Sequence, residues 1–388
     1  MRGCLAMSDG YYDIEISNLA LIEACWGLSV VDQVVACVRD RLAEAGLAFE
    51  PARRRGAFRL ASGDGDSDPR LADLCYRLSA DPISILMPDD GQEVMVHAII
   101  SWRGDNVPCY RRAREIRRDH GERWPVLYES DMHIAVEAFR CMREGRVAVH
   151  WQRVCDYRHP DHVLYHEGLA RFAGPAHLLS PALVFPALAR TGLASSFDRL
   201  MVDLVLEHLR ADPSATLGVN ISATSAHLNG WWGGVLADLA EDPDLSRRLV
   251  VEITETEQIT HIGQTIAFAQ RLRAIGVTLA LDDFGAGYTS IRQLMDLMPA
   301  LVKIDGLFLQ RAARTESPCH SLPYLIGLIR ELGGTVIVEG VETQAMADIA
   351  FFSGATWHQG YHYGRPAVER VGVTHPLHGI AIPQNGHG

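Results

Sequence analysis

From residue 147 onward, short apolar runs alternate with longer stretches whose apolar residues recur at helical spacing. The runs 147–151, 163–172, 217–221, 249–254, 277–281, 301–304, 335–338 and 356–358 predict strands. The stretches 181–190, 196–209, 262–275 and 324–332 predict helices between them. Eight strands with intervening helices over about 240 residues predict an α/β fold of the (β/α)8 TIM-like barrel type.

The chain before this alternation has a different pattern. Residues 13–19 predict a strand, and Val31, Val34, Val35, Val38 and Leu42 put an apolar stripe on a helix over 28–45 with Gly46 as its C-cap. Residues 49–60 predict a hairpin whose tip carries Arg53, Arg54 and Arg55. A loop over 64–69 precedes a further helix, 93–102 alternates as a strand, and 109–120 predicts a basic helix. This is an N-terminal α+β layer of modest size. An amphipathic helix over 128–144 bridges it to the barrel or opens the barrel. The expected domains are therefore 1–128, 129–376 and a loose Gly-, His- and Pro-containing tail at 377–388.

The ends of the predicted strands carry the chemistry. The run 277–281 leads straight into Asp282 and Asp283, and then into a loop with Gly285 and Gly287. Two adjacent acids at a buried strand end repel one another, and leaving them unpaired costs several kcal/mol, roughly. A cation removes that cost, and an Asp-capped turn is the alternative. The other strands end similarly: Glu167 in the second, Asn220 in the third, Glu252 in the fourth, Lys303 and Asp305 in the sixth, Glu339 in the seventh, Gln359 in the eighth. Individually, Asn220 could cap a helix, Glu252 could pair on a rim, and Lys303 could partner Asp305 or Asp282. Together they converge on the face where barrel enzymes build active sites. Their donors are oxygens, the set that hard cations such as Mg²⁺ and Mn²⁺ prefer over zinc. Adjacent carboxylates can share two ions, the usual arrangement for in-line attack on a phosphodiester. Lys303 could then orient the attacking water and Glu339 could take its proton.

Composition narrows the classes further. A net charge of −12 makes a poor general binder of nucleic acid polymers. The eight cysteines contain no C-x-x-C pair, which argues against a zinc site and a disulfide framework and for a reducing cytoplasm. No run of 18 apolar residues suggests a membrane span, and residues 1–7 are too short for a signal peptide.

The second half resembles the EAL domain family of cyclic di-GMP phosphodiesterases over about residues 147–366. The signature Glu-Ala-Leu is Glu167-Gly168-Leu169, followed by Ala170-Arg171-Phe172. Asn-x-Ser is Asn220-Ile221-Ser222, and Glu-x-Thr-Glu is Glu252-Ile253-Thr254-Glu255. Asp-Asp-Phe-Gly-x-Gly-Tyr is present entire at 282–288, Lys-x-Asp at 303–305, Glu-Gly-Val-Glu at 339–342, and Gln-Gly-Tyr…Pro at 359–366. The resemblance implies hydrolysis of cyclic di-GMP to pGpG with two Mg²⁺ or Mn²⁺ ions. It implies Glu167, Asn220, Glu252 and Asp282 on the first metal, and Asp283 on the second with Asp305 or water nearby. Glu339 and Lys303 would serve the attacking water. Gln152, Leu169, Arg171, Asp305 and Gln359 would contact substrate. Glu255 would brace the loop over 284–290, beside which family members form homodimers.

Several positions depart from the family pattern. Gly168 replaces Ala and should loosen the strand by roughly 0.5–1 kcal/mol. Arg153 follows Gln152 where Pro is usual, Phe172 replaces Trp, and an acidic position near Ala189 and Arg190 is lost. No metal ligand is lost, so catalysis is expected, and a catalytically weak cyclic di-GMP receptor is the alternative. The element order of the first segment resembles a GGDEF domain. By that alignment Glu15 and Ser17 take its metal positions and residues 54–58, Arg-Arg-Gly-Ala-Phe, take its signature tip. Ser17 cannot replace a carboxylate on Mg²⁺, and the arginines would crowd a nucleotide. The expectation is a degenerate, non-catalytic regulatory domain.

Overall fold

The computed structural model describes residues 11–44, 46, 48–52, 55–61, 82–86, 91–96, 98–102, 124–174, 179–228, 230–254, 262–286, 290–314 and 321–374. Arg53, Arg54, the loop 64–69, the basic helix 109–120, Glu255, residues 287–289 and the tail 377–388 lie outside the described residues. The chain divides into two compact units. One comprises Met1–Arg146, Phe172–Phe197 and Asn229–Gly233, and the other Val147–Arg171, Asp198–Leu228 and Gly234–Gly388.

The first unit opens with β1 (Tyr11–Ile16), α1 (Leu19–Trp26), α2 (Leu28–Glu44), β2 (Phe49–Pro51) and β3 (Ala57–Ala61). β4 (Ile83–Leu86), β5 (Glu93–Val96), β6 (Ala98–Trp102) and α3 (Trp124–Arg143) follow. On α2 the apolar stripe is buried at Val30, Val31, Val34, Val38 and Leu42, and Gly46 takes the left-handed φ of +68° that ends such a helix. β2 and β3 form the expected hairpin, and Arg55 in its connecting loop pairs with exposed Asp32 on α2. The sheet runs β2-β3-β1-β6, its paired strands antiparallel. The single strand expected over 93–102 is two strands. β5 pairs with β4 and β6 pairs with β1, so the segment serves two separate sheets. α4 (Pro181–Thr191) also belongs to this unit and packs on α3. Arg190 at its end grips buried Asp131 of α3 with two hydrogen bonds of 2.6 and 2.7 Å.

The second unit holds the barrel. Its strands are β7 (Val147–Asp156), β8 (His162–Phe172), β9 (Leu217–Ser222), β10 (Leu249–Thr254), β11 (Thr278–Phe284), β12 (Leu301–Ile304), β13 (Thr335–Val338) and β14 (Trp357–His358). Around them lie α5 (Ala194–Ala211), α6 (Gly230–Glu241), α7 (Pro243–Ser246), α8 (Ile262–Ala274), α9 (Ile291–Leu297), α10 (Gly306–Arg314), α11 (Ser321–Glu331) and α12 (Gln344–Phe352). The strands pair in the order β8-β7-β14-β13-β12-β11-β10-β9, and β8 pairs again with β9, which closes the barrel; β15 (Val373–Thr374) adds to the outer edge of β8. β8 to β14 are parallel, whereas β7 runs antiparallel to β14. The first strand is therefore inverted relative to a regular (β/α)8 barrel. Residues 157–161 between β7 and β8 leave no room for a helix, and a parallel crossover needs about a dozen residues.

Two apolar layers hold the barrel. Inside it, Val154, Leu164, Tyr165, Val250, Ala280, Leu301 and Ile337 fill the space between strands. Outside it, Val302, Ile304, Val336 and Val338 pack against Leu309, Leu322, Ile326, Ile329, Ala347 and Ala350 of the helices. Strands buried on both faces read as unbroken apolar runs, which is why their positions stood out in the sequence.

Gly168 sits in a tight place on β8. A Cβ there would lie 3.1 Å from each of three atoms: Gly218 O, Trp151 Cζ3 and Val149 Cγ1. The buried indole of Trp151 takes the space that an alanine methyl would need. Gly168→Ala should consequently overpack the site and cost about 1–3 kcal/mol, despite its better strand propensity. Denaturant midpoints will check this, and a variant pairing it with Trp151→Phe should recover most of the loss.

Candidate active site

The ends of the parallel strands bring seven of the sequence-selected residues into one buried cluster. Its hub is Lys303 at the third position of β12, an ammonium whose side chain is 1% exposed. Lys303 Nζ lies 2.9 Å from Glu252 Oε2, Asp282 Oδ1 and Glu339 Oε1, and 3.1 Å from Glu167 Oε2. Asn220 and Gln359 donate their amides to the two oxygens of Glu167. Five strands thus supply one constellation, and Glu339 and Gln359 complete it from the residues after β13 and β14.

Asp283 joins the cluster through an irregular backbone. Neighbouring residues on a regular strand point to opposite faces, so Asp282 and Asp283 should diverge. Instead the register of β11 against β12 shifts between Leu281 and Phe284, and Asp283 adopts a φ of +53°. Aspartate tolerates this left-handed conformation better than most residues, and such strain concentrates at functional sites. The result is two acidic triads that share one member. Oxygens of Glu167, Glu252 and Asp282 lie within 4.8 Å of one another, and so do those of Asp282, Asp283 and Glu339.

Room for the first triad is made beneath it. A Cβ on Gly218 would stand 2.4 Å from Glu252 Oε1 and 2.7 Å from the Tyr165 ring, so any other residue would push Glu252 out of place. Tyr165 lies buried under the acids, a neighbour that its apolar surroundings in the sequence did not reveal.

Charge in this cavity is unbalanced. Five acids face one lysine, so full ionisation would leave an excess of four negative charges. Burial, reinforced by the neighbouring acids, pushes Glu252 up to about 8 and Asp283 up to about 7. Burial likewise raises Asp282 and holds Glu339 well above the usual carboxylate range, with Lys303 pulling both back. Burial would raise Glu167 as well, but Lys303, Gln359 and Asn220 outweigh it and keep its pKa low. Burial works against the Lys303 charge, and the surrounding carboxylates overcome it.

The donor set fits a hard divalent cation. Asn220 Oδ1, Gln359 Oε1 and Glu252 Oε1 are buried acceptors with no hydrogen-bond donor. A carboxylate can satisfy such a position by taking a proton, but an amide oxygen cannot. It needs a donor or a cation.

The remaining expected site residues stand apart from the hub. Asp305, the residue after β12, accepts a 2.7 Å hydrogen bond from Leu307 N and caps α10. It raises the pKa of Asp283 through space, but Glu339 is the acid that completes the triad with Asp282 and Asp283. Gln152 on β7 donates to Gly364 O at 3.2 Å. Arg171 near the end of β8 donates to Ala170 O, and its charge interacts with Tyr361 and Glu167. Leu169 is half-buried on the same strand. Arg153 does not enter the cluster: its guanidinium is spent on the carbonyls of Tyr363 and Pro160.

The closed eight-stranded barrel thus carries its acidic cluster at the carboxyl-terminal ends of the parallel strands, the face where barrel enzymes build active sites. Residues 135–366 match the EAL domain family, and the chain belongs to that family. PdeF of Escherichia coli K12, a cyclic di-GMP phosphodiesterase, is 29% identical over 208 residues, which cover 52% of this chain. The chain corresponds to 28% of PdeF's length. The solved PaMucR phosphodiesterase in complex with c-di-GMP, from the Pseudomonas aeruginosa protein MucR, is 26% identical with a TM-score of 0.52, covering 60% of this chain and 97% of that one. The S helix-GGDEF-EAL structure of Vibrio cholerae LapD has a TM-score of 0.54 at 15% identity, covering 91% of this chain and 88% of that one, a likeness of fold alone.

Proposed function

We propose that the chain hydrolyses cyclic di-GMP to the linear dinucleotide pGpG with two Mg²⁺ or Mn²⁺ ions. The observation that carries this reading is the pair of acidic triads sharing Asp282. Two divalent cations would offset the four excess negative charges of the cluster. Glu167, Asn220, Glu252 and Asp282 would hold the first ion, and Asp283, with Asp282 and Glu339 close by, would hold the second. Bound there, the ions supply an activated water and neutralise the phosphate under attack. Lys303 steadies the acids and the developing charge, and Glu339 accepts the water's proton. Gln152, Leu169, Arg171, Asp305 and Gln359 line the approach of the dinucleotide. The likeness to PdeF and to the c-di-GMP complex of PaMucR supports this substrate.

Residues 1–128 are a degenerate GGDEF-like regulatory domain in this reading, which the fold likeness to LapD supports. Glu255 would brace the loop over 284–290 in this reading, and homodimers would form beside that loop. The protein works in the cytoplasm, and no described helix is long and apolar enough to cross a membrane.

The test is chromatographic. Purified protein incubated with cyclic di-GMP and Mg²⁺ or Mn²⁺ should yield pGpG, and EDTA should stop it. Tight binding of cyclic di-GMP without product would replace the enzyme with a receptor. Neither binding nor product would sink both readings.

A further inference from the structure

Ser222 closes the Asn220-Ile221-Ser222 motif, yet it does not reach the acidic cluster. All of its donors go elsewhere. Its backbone N–H and its hydroxyl donate to Asp198 Oδ2 at 2.8 and 2.6 Å, and the hydroxyl of Ser225, one turn further on, donates to the same oxygen at 2.6 Å. Thr224 Oγ1 lies 2.9 Å from Ser222 Oγ and extends the network. Asp198 projects from α5 and is 8% exposed; Ser225 is 3% exposed.

This is an unusual investment for a helix residue. Burial pushes the Asp198 carboxyl up to about 6, and the donors of Ser222 and Ser225 hold its charge in place. No arginine or lysine within ion-pair distance shares that task among the described residues. The donors come from one short stretch, the end of β9 and the 3-10 turn at Ala223–Ser225. Asp198 therefore sets the direction in which the chain leaves β9. Asn220 lies two residues upstream on the same strand, so it shares a face with Ser222. Its Nδ2 must reach Glu167 while its Oδ1 is left free in the cavity.

We infer that Asp198 is a positioning residue of the site, acting through Ser222 to aim the Asn220 carboxamide at Glu167 and at the first cation. The serine of the motif is on this account an anchor for α5, with no contact to substrate. The role in metal binding rests on the function proposed above; the role in aiming Asn220 does not.

The experiment uses two readouts on the full chain. The protein has five asparagines, so selective ¹⁵N labelling resolves their side-chain amides, and an Asn220→Ala spectrum assigns the pair of interest. In metal-free Asp198→Asn the Asn220 amide pair should move toward the position of a solvent-exposed amide. Mn²⁺ affinity, read from free Mn²⁺ by electron paramagnetic resonance, should fall about tenfold to a hundredfold, the usual size for residues that orient a ligand. Ser222→Ala removes one hydroxyl and should shift both readouts the same way by less. It decides the matter if Asp198→Asn does not fold. A folded Asp198→Asn protein with an unmoved Asn220 amide overturns the inference. A wild type that neither binds Mn²⁺ nor makes pGpG overturns the function proposed above, while the amide comparison still decides the role of Asp198.

Discussion

Asp282→Asn should lower cyclic di-GMP hydrolysis by about three powers of ten and leave the fold at least as stable as before. The first half follows from geometry. Asp282 is the single residue common to both triads, so its loss weakens both ions at once. Charge stabilisation by bound metal contributes several kcal/mol, and about 4 kcal/mol is about a thousandfold in rate. The second half follows from charge. Asp282 is buried among Glu167, Glu252, Asp283 and Glu339, and burial, with the charge of Glu167, raises its pKa. Asparagine keeps its shape and removes one charge from an overcrowded cavity. Thermal unfolding of metal-free protein should therefore show an unchanged or higher midpoint in the variant, the sign of a site that trades stability for activity. Rate and midpoint falling together would mean that Asp282 is a structural acid, and the two-ion reading would lose its main support.

The strands of the barrel were legible because their burial on both faces leaves apolar runs, as at 279–281 and 336–338. Direction was not legible, because a strand reads alike both ways. The inversion of β7 was signalled only by the short connection at 157–161. The site residues were legible because acids and amides recurred at strand ends, where a core strand has no use for them. What the sequence hid was the path of the backbone between them. A regular strand would have sent Asp283 away from Asp282, and only the shift at Leu281 and Phe284 brings them together. The resemblance placed Asp305 or water near Asp283; the Asp305 carboxylate accepts from Leu307 N at the start of α10 and also acts on Asp283 through space. Asp198 gave no signal at all. It sits on a helix 24 residues before Ser222, and nothing in a single sequence marks one surface-type residue as turned inward. The setting of Gly168 was hidden for a related reason: strand propensity ignores what Trp151 does to the space around it.

Lys303→Met should destabilise the metal-free protein by about 3–5 kcal/mol, the range for removing one partner of a buried ion pair. Methionine keeps the length of the side chain, so packing changes little, while Glu167, Glu252, Asp282 and Glu339 lose the ammonium they share. The acids then have two ways to recover, and each gives a signature. The first is to bind protons. Without Lys303 the folded-state pKa values of Glu252, Asp282 and Glu339 rise further above the unfolded values and Glu167 loses a partner that keeps its own low, so folding takes up protons. A group with a raised folded pKa contributes fully below its unfolded pKa and loses that contribution as pH rises toward the folded one. The deficit of the variant should accordingly be small near about pH 5 and largest near about pH 8. The second is to bind divalent cations. Mn²⁺ at about a hundredfold above its dissociation constant adds about 2.7 kcal/mol, which should recover much of the deficit at neutral pH without restoring turnover. Urea titrations at the two pH values, with and without Mn²⁺, separate these effects. A deficit equal at both pH values and untouched by Mn²⁺ would make Lys303 a packing residue, because a hub of charge must respond to protons and to metal.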